Sequence, residues 1–276
     1  MDRFENLFKP RNKMLMALVA TAFLAGCGGG GSGGSGSGGS SSALYGPAGA
    51  APVLGTAASY GVFASNAAVT LAVNSSVTGD VGLNPAGACN NCVVGTTVLN
   101  GVIHNGDQAA IDAQTAFNTA YVDASTRATN ACAIVDAELS HAQAACAGVT
   151  NGPVYVPGLY RTANPIGVGG TFTITLDAQG NPDAVFIFQT DSAITTGTHS
   201  NVVLAGGALA KNVWWIAGSA ATLGVSSHFK GTVIANGAGV QVLGGTALDR
   251  TLVEGRLFSH AAGVGVDAFA SVTVPQ

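Results

Sequence analysis

The sequence predicts a mainly β fold: a β-solenoid, or β-helix, with one long α-helix packed alongside. Three observations carry that prediction. First, short β-branched runs recur through the last hundred or so residues with no helix between them, among them Thr171–Leu176, Ala184–Gln189, Asn201–Leu204, Asn212–Ile216, Lys230–Ile234 and Leu252–Leu257. Second, these runs fall into rough triplets separated by Gly, Asn, Ser and Thr, the pattern of three strands per turn of a solenoid. Third, a single amphipathic segment over about residues 106–129 needs a flat apolar partner, and a solenoid side supplies one.

Taken in order, the chain opens on a targeting signal over residues 1–26. Arg3, Lys9, Arg11 and Lys13 precede the apolar run Met14–Leu24, which is too short for a comfortable membrane span. Leu24-Ala25-Gly26-Cys27 resembles a bacterial lipoprotein box, with Cys27 as the lipidated residue. An ordinary secretory cut near Gly26 is the alternative. The stretch Gly28–Ser42 contains only Gly and Ser and reads as a flexible tether, so residues 27–42 form an anchor and linker. The expected location is therefore the cell envelope, or the outside of the cell if Cys27 is not lipidated. The membrane would be a partner through the lipid alone.

The folded domain spans residues 43–276. Charged residues are 9% of the 276-residue chain and the net charge is −4, which disfavours disorder and a nucleic-acid partner. Ala, Gly, Ser, Thr and Asn must cover most of the surface. Gly61–Ala64, Val69–Val73 and Ser76–Leu83 read as strands, ended by Asn84-Pro85. Residues 86–103 read as a Gly-rich loop with a short strand from Val98. The helix starts near Asn105 or Gly106 with Asp107 favouring its amino end, and Ile111, Phe117, Tyr121 and intervening alanines form its apolar stripe. Ala131–Ala145 reads as a second helical piece with Asp136, Glu138 and His141 facing water; residues 130–150 or 86–103 would cap the solenoid.

From residue 173 the coils are expected as Thr173–Asp177, Ala184–Gln189 and Ala193–Thr198, then Asn201–Ala205, Asn212–Ala217 and Ala221–Ser226. Two less regular coils follow: Phe229–Ala235 with Gly239–Leu243, and Leu252–Phe258 with Gly263–Phe269. A β-sandwich would show clearer hairpin turns and stronger alternation. Cys89, Cys92, Cys132 and Cys146 are disulfide candidates in an exported domain; four cysteines allow three connectivities, and spacing alone does not choose.

The ordered series Ser76–Pro85, Gly101–Asp107, Pro157–Tyr160, Leu176–Gln189, Asn212–Ile216, Ser219–Gly224 and Phe229–Ile234 resembles the DUF3494 ice-binding family over roughly residues 54–274. The resemblance implies a discontinuous, right-handed β-helix of triangular section, in which amino-terminal strands join coils built mainly by the carboxyl-terminal half. It also implies binding to an ice crystal surface through one flat side rich in small residues and hydroxyls, with no cofactor.

Such a surface needs area, rigidity and weak polarity. Strand alternation places Thr195 and Gly197 outward in one coil and Thr222 and Gly224 in the next, with Gln241 and Leu243, then Gly265 and Asp267, at matching positions. That column departs from the Thr-rich family pattern.

Other functions have weaker support. No His pair has metalloprotease spacing, Asp80 and Asp107 sit in turn or cap contexts, and His199, His228 and His260 near corners look like surface repetition, so no enzyme, metal or cofactor is expected. Adhesion or polysaccharide binding is the alternative function. It usually needs an aromatic platform, and adjacent Trp214 and Trp215 must point to opposite sides of a strand. A monomer is expected.

Overall fold

The computed structural model describes residues 48–141, 143 and 153–276, all within the unit Ser42–Gln276. The predicted signal segment, Cys27, the tether and Cys146 lie outside the described residues.

Strands stack in parallel, coil upon coil. Thr173–Asp177, Phe186–Thr190 and Ile194–Thr196 make one turn. Asn201–Ala205, Val213–Ala217 and Ala221–Leu223 make the next. Thr173 pairs with Asn201, Phe186 with Val213 and Ile194 with Ala221. His228–Ala235 then crosses two sides in a single strand, pairing with Asn201 at its start and with Trp214–Ala217 towards its end. Thr251–Ser259 repeats this crossing beside it. Each bends at a glycine: Gly231 has φ +115°, and a Cβ on Gly255 would lie 1.9 Å from the Gly231 carbonyl oxygen. No other residue fits that contact.

Chain order and coil order then part. After Ala270–Thr273, the next side is filled by Tyr60–Ser65, whose Val62 pairs with Leu257. Val69–Leu71 completes that coil against Val264–Val266. Ser76–Thr78, Asp80–Asn84 and Cys89–Asn90 form the following turn, and Val98–Leu99 with Ile103–Asn105 end the stack. At the other end lie Val154–Tyr155, Gly158–Thr162 and Ile166–Val168.

Inward side chains form a continuous core. Tyr160, Phe188, Trp215 and Phe229 stack through it, with Phe188 and Trp215 centroids 4.3 Å apart. Trp214 points the other way, into a second cluster with Phe63, Ile216, Ile234 and Phe258. The helix Gln108–Thr126 covers that cluster. Asp107 caps it by accepting from the Ala110 amide at 2.9 Å and also meets His104 Nδ1 at 2.8 Å. Both contacts hold its carboxyl below the usual range, the backbone bond first.

Several expectations are corrected. The buried helix stripe is Ala110, Ala113, Phe117, Ala120 and Ala124, while Ile111 is 41% exposed. Small residues at three- and four-residue spacing let the helix sit close to the sheet, and Ile111 lies one step off that line. Residues 131–141 are not helical. Cys132 and Ile134 are buried while Ala133 and Val135 are exposed, which is strand alternation. Cys132–Ala133 pairs with Tyr160–Arg161, and the Leu139 amide donates to the Gly167 carbonyl. This segment is a partial coil laid on the end of the stack. Glu138 does not simply face water: it accepts from the Gly169 and Ser140 amides.

His260 is not part of a surface repeat. It lies under the helix, 4.7 Å from the Phe117 ring and 4.8 Å from Tyr121. His199, by contrast, occupies a left-handed corner and His228 an outward strand position. Cys89 and Cys92 form a disulfide, and Cys132 is disulfide-bonded as well.

Candidate functional site

One side of the solenoid is a seven-stranded parallel sheet. Its spatial order is Ile166–Val168, Ile194–Thr196, Ala221–Leu223, Val240–Val242, Val264–Val266, Val69–Leu71 and Cys89–Asn90. All but the last are three-residue strands that bury their first and third side chains. Core-facing Val, Ile, Leu and Ala therefore fix the register, and one middle residue per coil faces out.

Those middle residues are Gly167, Thr195, Thr222, Gln241, Gly265 and Thr70, with Asn90 paired beyond Thr70. Parallel pairing spaces them about 4.8 Å apart along the stack. None is charged. The positions two residues before Thr195, Thr222, Gln241, Gly265 and Thr70, namely Ala193, Ala220, Gly239, Gly263 and Ala68, are small and partly exposed. Asn90 Nδ2 donates to Thr70 Oγ1 at 3.1 Å.

Thr195, Thr222, Gln241 and Gly265 thus fall in one column, as the sequence predicts. Thr70 and Asn90 extend it, and the sequence reading missed both because it followed chain order through the carboxyl-terminal half. The missed signal was Val69-Thr-Leu71, flanked by small residues and matching Ala221-Thr-Leu223 in form.

The second predicted column is corrected. Gly224 is buried, and a Cβ there would lie 2.3 Å from the Gly197 carbonyl oxygen. A Cβ on Gly197 would lie 2.4 Å from the Gly170 nitrogen. These glycines let successive corners nest, because the chain turns away from the sheet immediately after Thr196 and Leu223. Thr196 points inward, and its Oγ1 accepts from the Gly224 amide at 2.8 Å. Leu243 is partly exposed where the chain leaves for an excursion whose Leu248 is fully exposed.

Nor is the side-chain surface level. Gln241 lies over Gly265, with its Oε1 2.1 Å from where a Cβ would stand. Its Nε2 donates to Asp267 Oδ1 at 2.8 Å, which ties that carboxylate back. A shallow open depression of about 600 Å³ runs here between Thr222 and Thr70, lined by Gly239, Gln241, Gly263, Gly265 and Asp267 among others. The column is therefore two hydroxyl-bearing stretches on either side of a glycine trough.

The other two sides differ in kind. One lies beneath the helix. The other carries the Lys230–Glu254 ion pair at 2.7 Å and an exposed His228. Among the described residues no cluster of three or more His, Cys, Asp or Glu has the geometry to hold a metal ion.

Comparison with known proteins agrees with this architecture. A family model described as ice-binding-like matches residues 63–271. An ice-binding protein of Flavobacterium frigoris is 30% identical over 184 residues, covering 66% of this chain and 64% of that protein. Ice-binding protein K1-A of Typhula ishikariensis is 30% identical over 204 residues, 67% of this chain and 77% of the relative. Among solved structures, an ice binding protein from an Antarctic biological consortium superposes with a TM-score of 0.69 at 30% identity, covering 82% of this chain and 91% of that one. The DUF3494 domain of Shewanella frigidimarina ice-binding protein 1 superposes at 0.67 with 28% identity, covering 82% and 98%. With a family match across most of its length and the same solenoid-plus-helix architecture, the chain belongs to the ice-binding-like family.

Proposed function

We propose that this chain binds ice through the seven-stranded side and thereby restrains ice growth or recrystallisation. The observation that carries the proposal is the single column from Gly167 to Asn90. It is uncharged, evenly spaced and uncovered by the helix. The core-facing residue on each side of every outward position fixes the backbone, so little entropy is lost when the surface meets a solid.

Each outward threonine offers a methyl group that orders neighbouring water and a hydroxyl that bonds within the ordered layer. Thr195 and Thr222 are adjacent partners, so one stretch presents two such groups side by side; in the other, Thr70 stands beside the Asn90 amide that donates to it. Gly167 and Gly265 contribute no hydroxyl; the Glu138 carboxylate lies beside the first and the Gln241 amide over the second. No step of this adsorption needs a catalytic group or cofactor.

The leader, Cys27 and the Gly/Ser tether support an exported protein held at the envelope by a lipid. The adsorbing domain would then act as a monomer at the end of a flexible line.

The test is a thermal hysteresis and recrystallisation assay on the purified protein beside Thr222→Tyr. The phenol ring stands above the sheet and should abolish the activity while leaving the melting temperature unchanged. Wild-type protein that leaves ice growth unaltered refutes the proposal.

A further inference from the structure

A second concavity opens at the corner between the seven-stranded side and the charged side. It has a volume of about 400 Å³ and draws its walls from four separate chain segments, including Asn74, Ser76, Asn91, Thr96, Arg250 and Phe269. None of its lining residues is acidic.

Arg250 dominates its chemistry. Its Nη2 donates to the Asn74 carbonyl at 2.9 Å and to Ser271 Oγ at 3.1 Å, and its guanidinium lies 5.9 Å from the Phe269 ring centroid. These contacts fix the guanidinium plane from one edge and one face. Its Nε and Nη1 make no hydrogen bond to the described residues, and no carboxylate among them pairs with it. The chain has 14 acidic against 10 basic residues, so an Arg without a carboxylate goes against its bulk charge. Its sequence neighbour Asp249 is already taken by His199 Nε2 at 2.7 Å.

A planar cation held through Nη2, with Nη1 left without a protein partner at an open pocket, can give one charge-assisted hydrogen bond to an anionic oxygen there. Thr96 adds a neutral hydroxyl and Asn91, which gives one amide hydrogen to the Leu71 carbonyl at 2.9 Å, keeps a second for the remaining oxygens, while the Ser76 hydroxyl is taken up by Ser271 Oγ at 3.0 Å. We propose that this corner pocket binds a small oxyanion, a carboxylate or phosphate group, with Arg250 as its charged anchor. Arg250 lies off the seven-stranded sheet, so the inference is independent of the ice-binding reading.

The test is a titration of the full protein followed by the NMR signal of the Arg250 Nε–H and by calorimetry. The probes are inorganic phosphate, galacturonate and neutral galactose. Saturable binding of phosphate or galacturonate but not galactose is expected, and which of the two binds distinguishes a free inorganic ion from a sugar carboxylate. Arg250→Gln should weaken the binding roughly tenfold or more, since it removes a charge-assisted hydrogen bond. Thr96→Trp at an exposed position should block it with the fold intact, and both variants should keep wild-type ice activity. The proposal is overturned if neither anion binds saturably, if galactose binds equally well, or if both variants bind like wild type.

Discussion

At Gly265 the outward column lacks a side chain, and Gln241 fills the space from the neighbouring coil. The clash a larger residue would meet is only the far end of that flexible amide. Gly265→Thr should displace it, add a hydroxyl between Thr222 and Thr70, and raise thermal hysteresis with a stability change of about 0.5 kcal/mol or less. At Gly255 the obstacle is backbone, so Gly255→Ala should cost about 3 kcal/mol in denaturant unfolding. His260 behaves differently again. Burial against Phe117 and Tyr121 lowers its pKa to about 4, with Asn236 Oδ1 3.1 Å from its Nδ1. The fold therefore prefers the neutral ring. Its contribution is complete above the unfolded value near 6.5 and is lost as pH falls towards about 4, a loss of roughly 2–3 kcal/mol. His260→Gln should flatten that part of a stability–pH curve measured by urea unfolding. Outward Thr195 and Thr222 were legible in the sequence because alternation holds inside a strand. Gly224 was not, because parity ends where the strand does, one residue earlier.

The helix is held by small residues around one large one. Phe117 meets Phe63 and Phe258 at ring distances of 5.1 and 5.2 Å, so Phe117→Ala should destabilise by about 3–5 kcal/mol, readable by thermal or denaturant melts. The seven-stranded side lies away from the helix, so any ice activity of the folded fraction should persist. At this scale the sequence was informative wherever one periodicity dominated. The residue 108–126 helix and the strand triplets from Thr173 onward stand close to where their patterns place them. Residues 131–141 failed because alanine-rich composition favours a helix, while alternating Cys132 and Ile134 are recruited as the inward residues of an end coil. Tertiary burial outweighs local propensity there.

For the whole molecule, the decisive feature is that the stack is assembled out of chain order. Tyr60–Ser65 and Val69–Leu71 are inserted next to the last carboxyl-terminal coil, joining residues nearly two hundred positions apart. Sequence spacing alone does not reveal such pairing, although the family resemblance implied it in general terms. It did not identify Thr70 as the residue beside Gly265. The consequence is that a surface spanning both halves of the chain should behave as one binding unit, whereas the charged side should not take part. The most direct measurement is the ice affinity of fluorescently labelled protein on a single ice crystal, comparing wild type with Thr222→Tyr, Thr70→Tyr and Thr273→Tyr, the last on the charged side. Loss of ice labelling in the first two, with retention in Thr273→Tyr, is the expected result. Full labelling by Thr70→Tyr and Thr222→Tyr, or its loss only in Thr273→Tyr, would contradict the account.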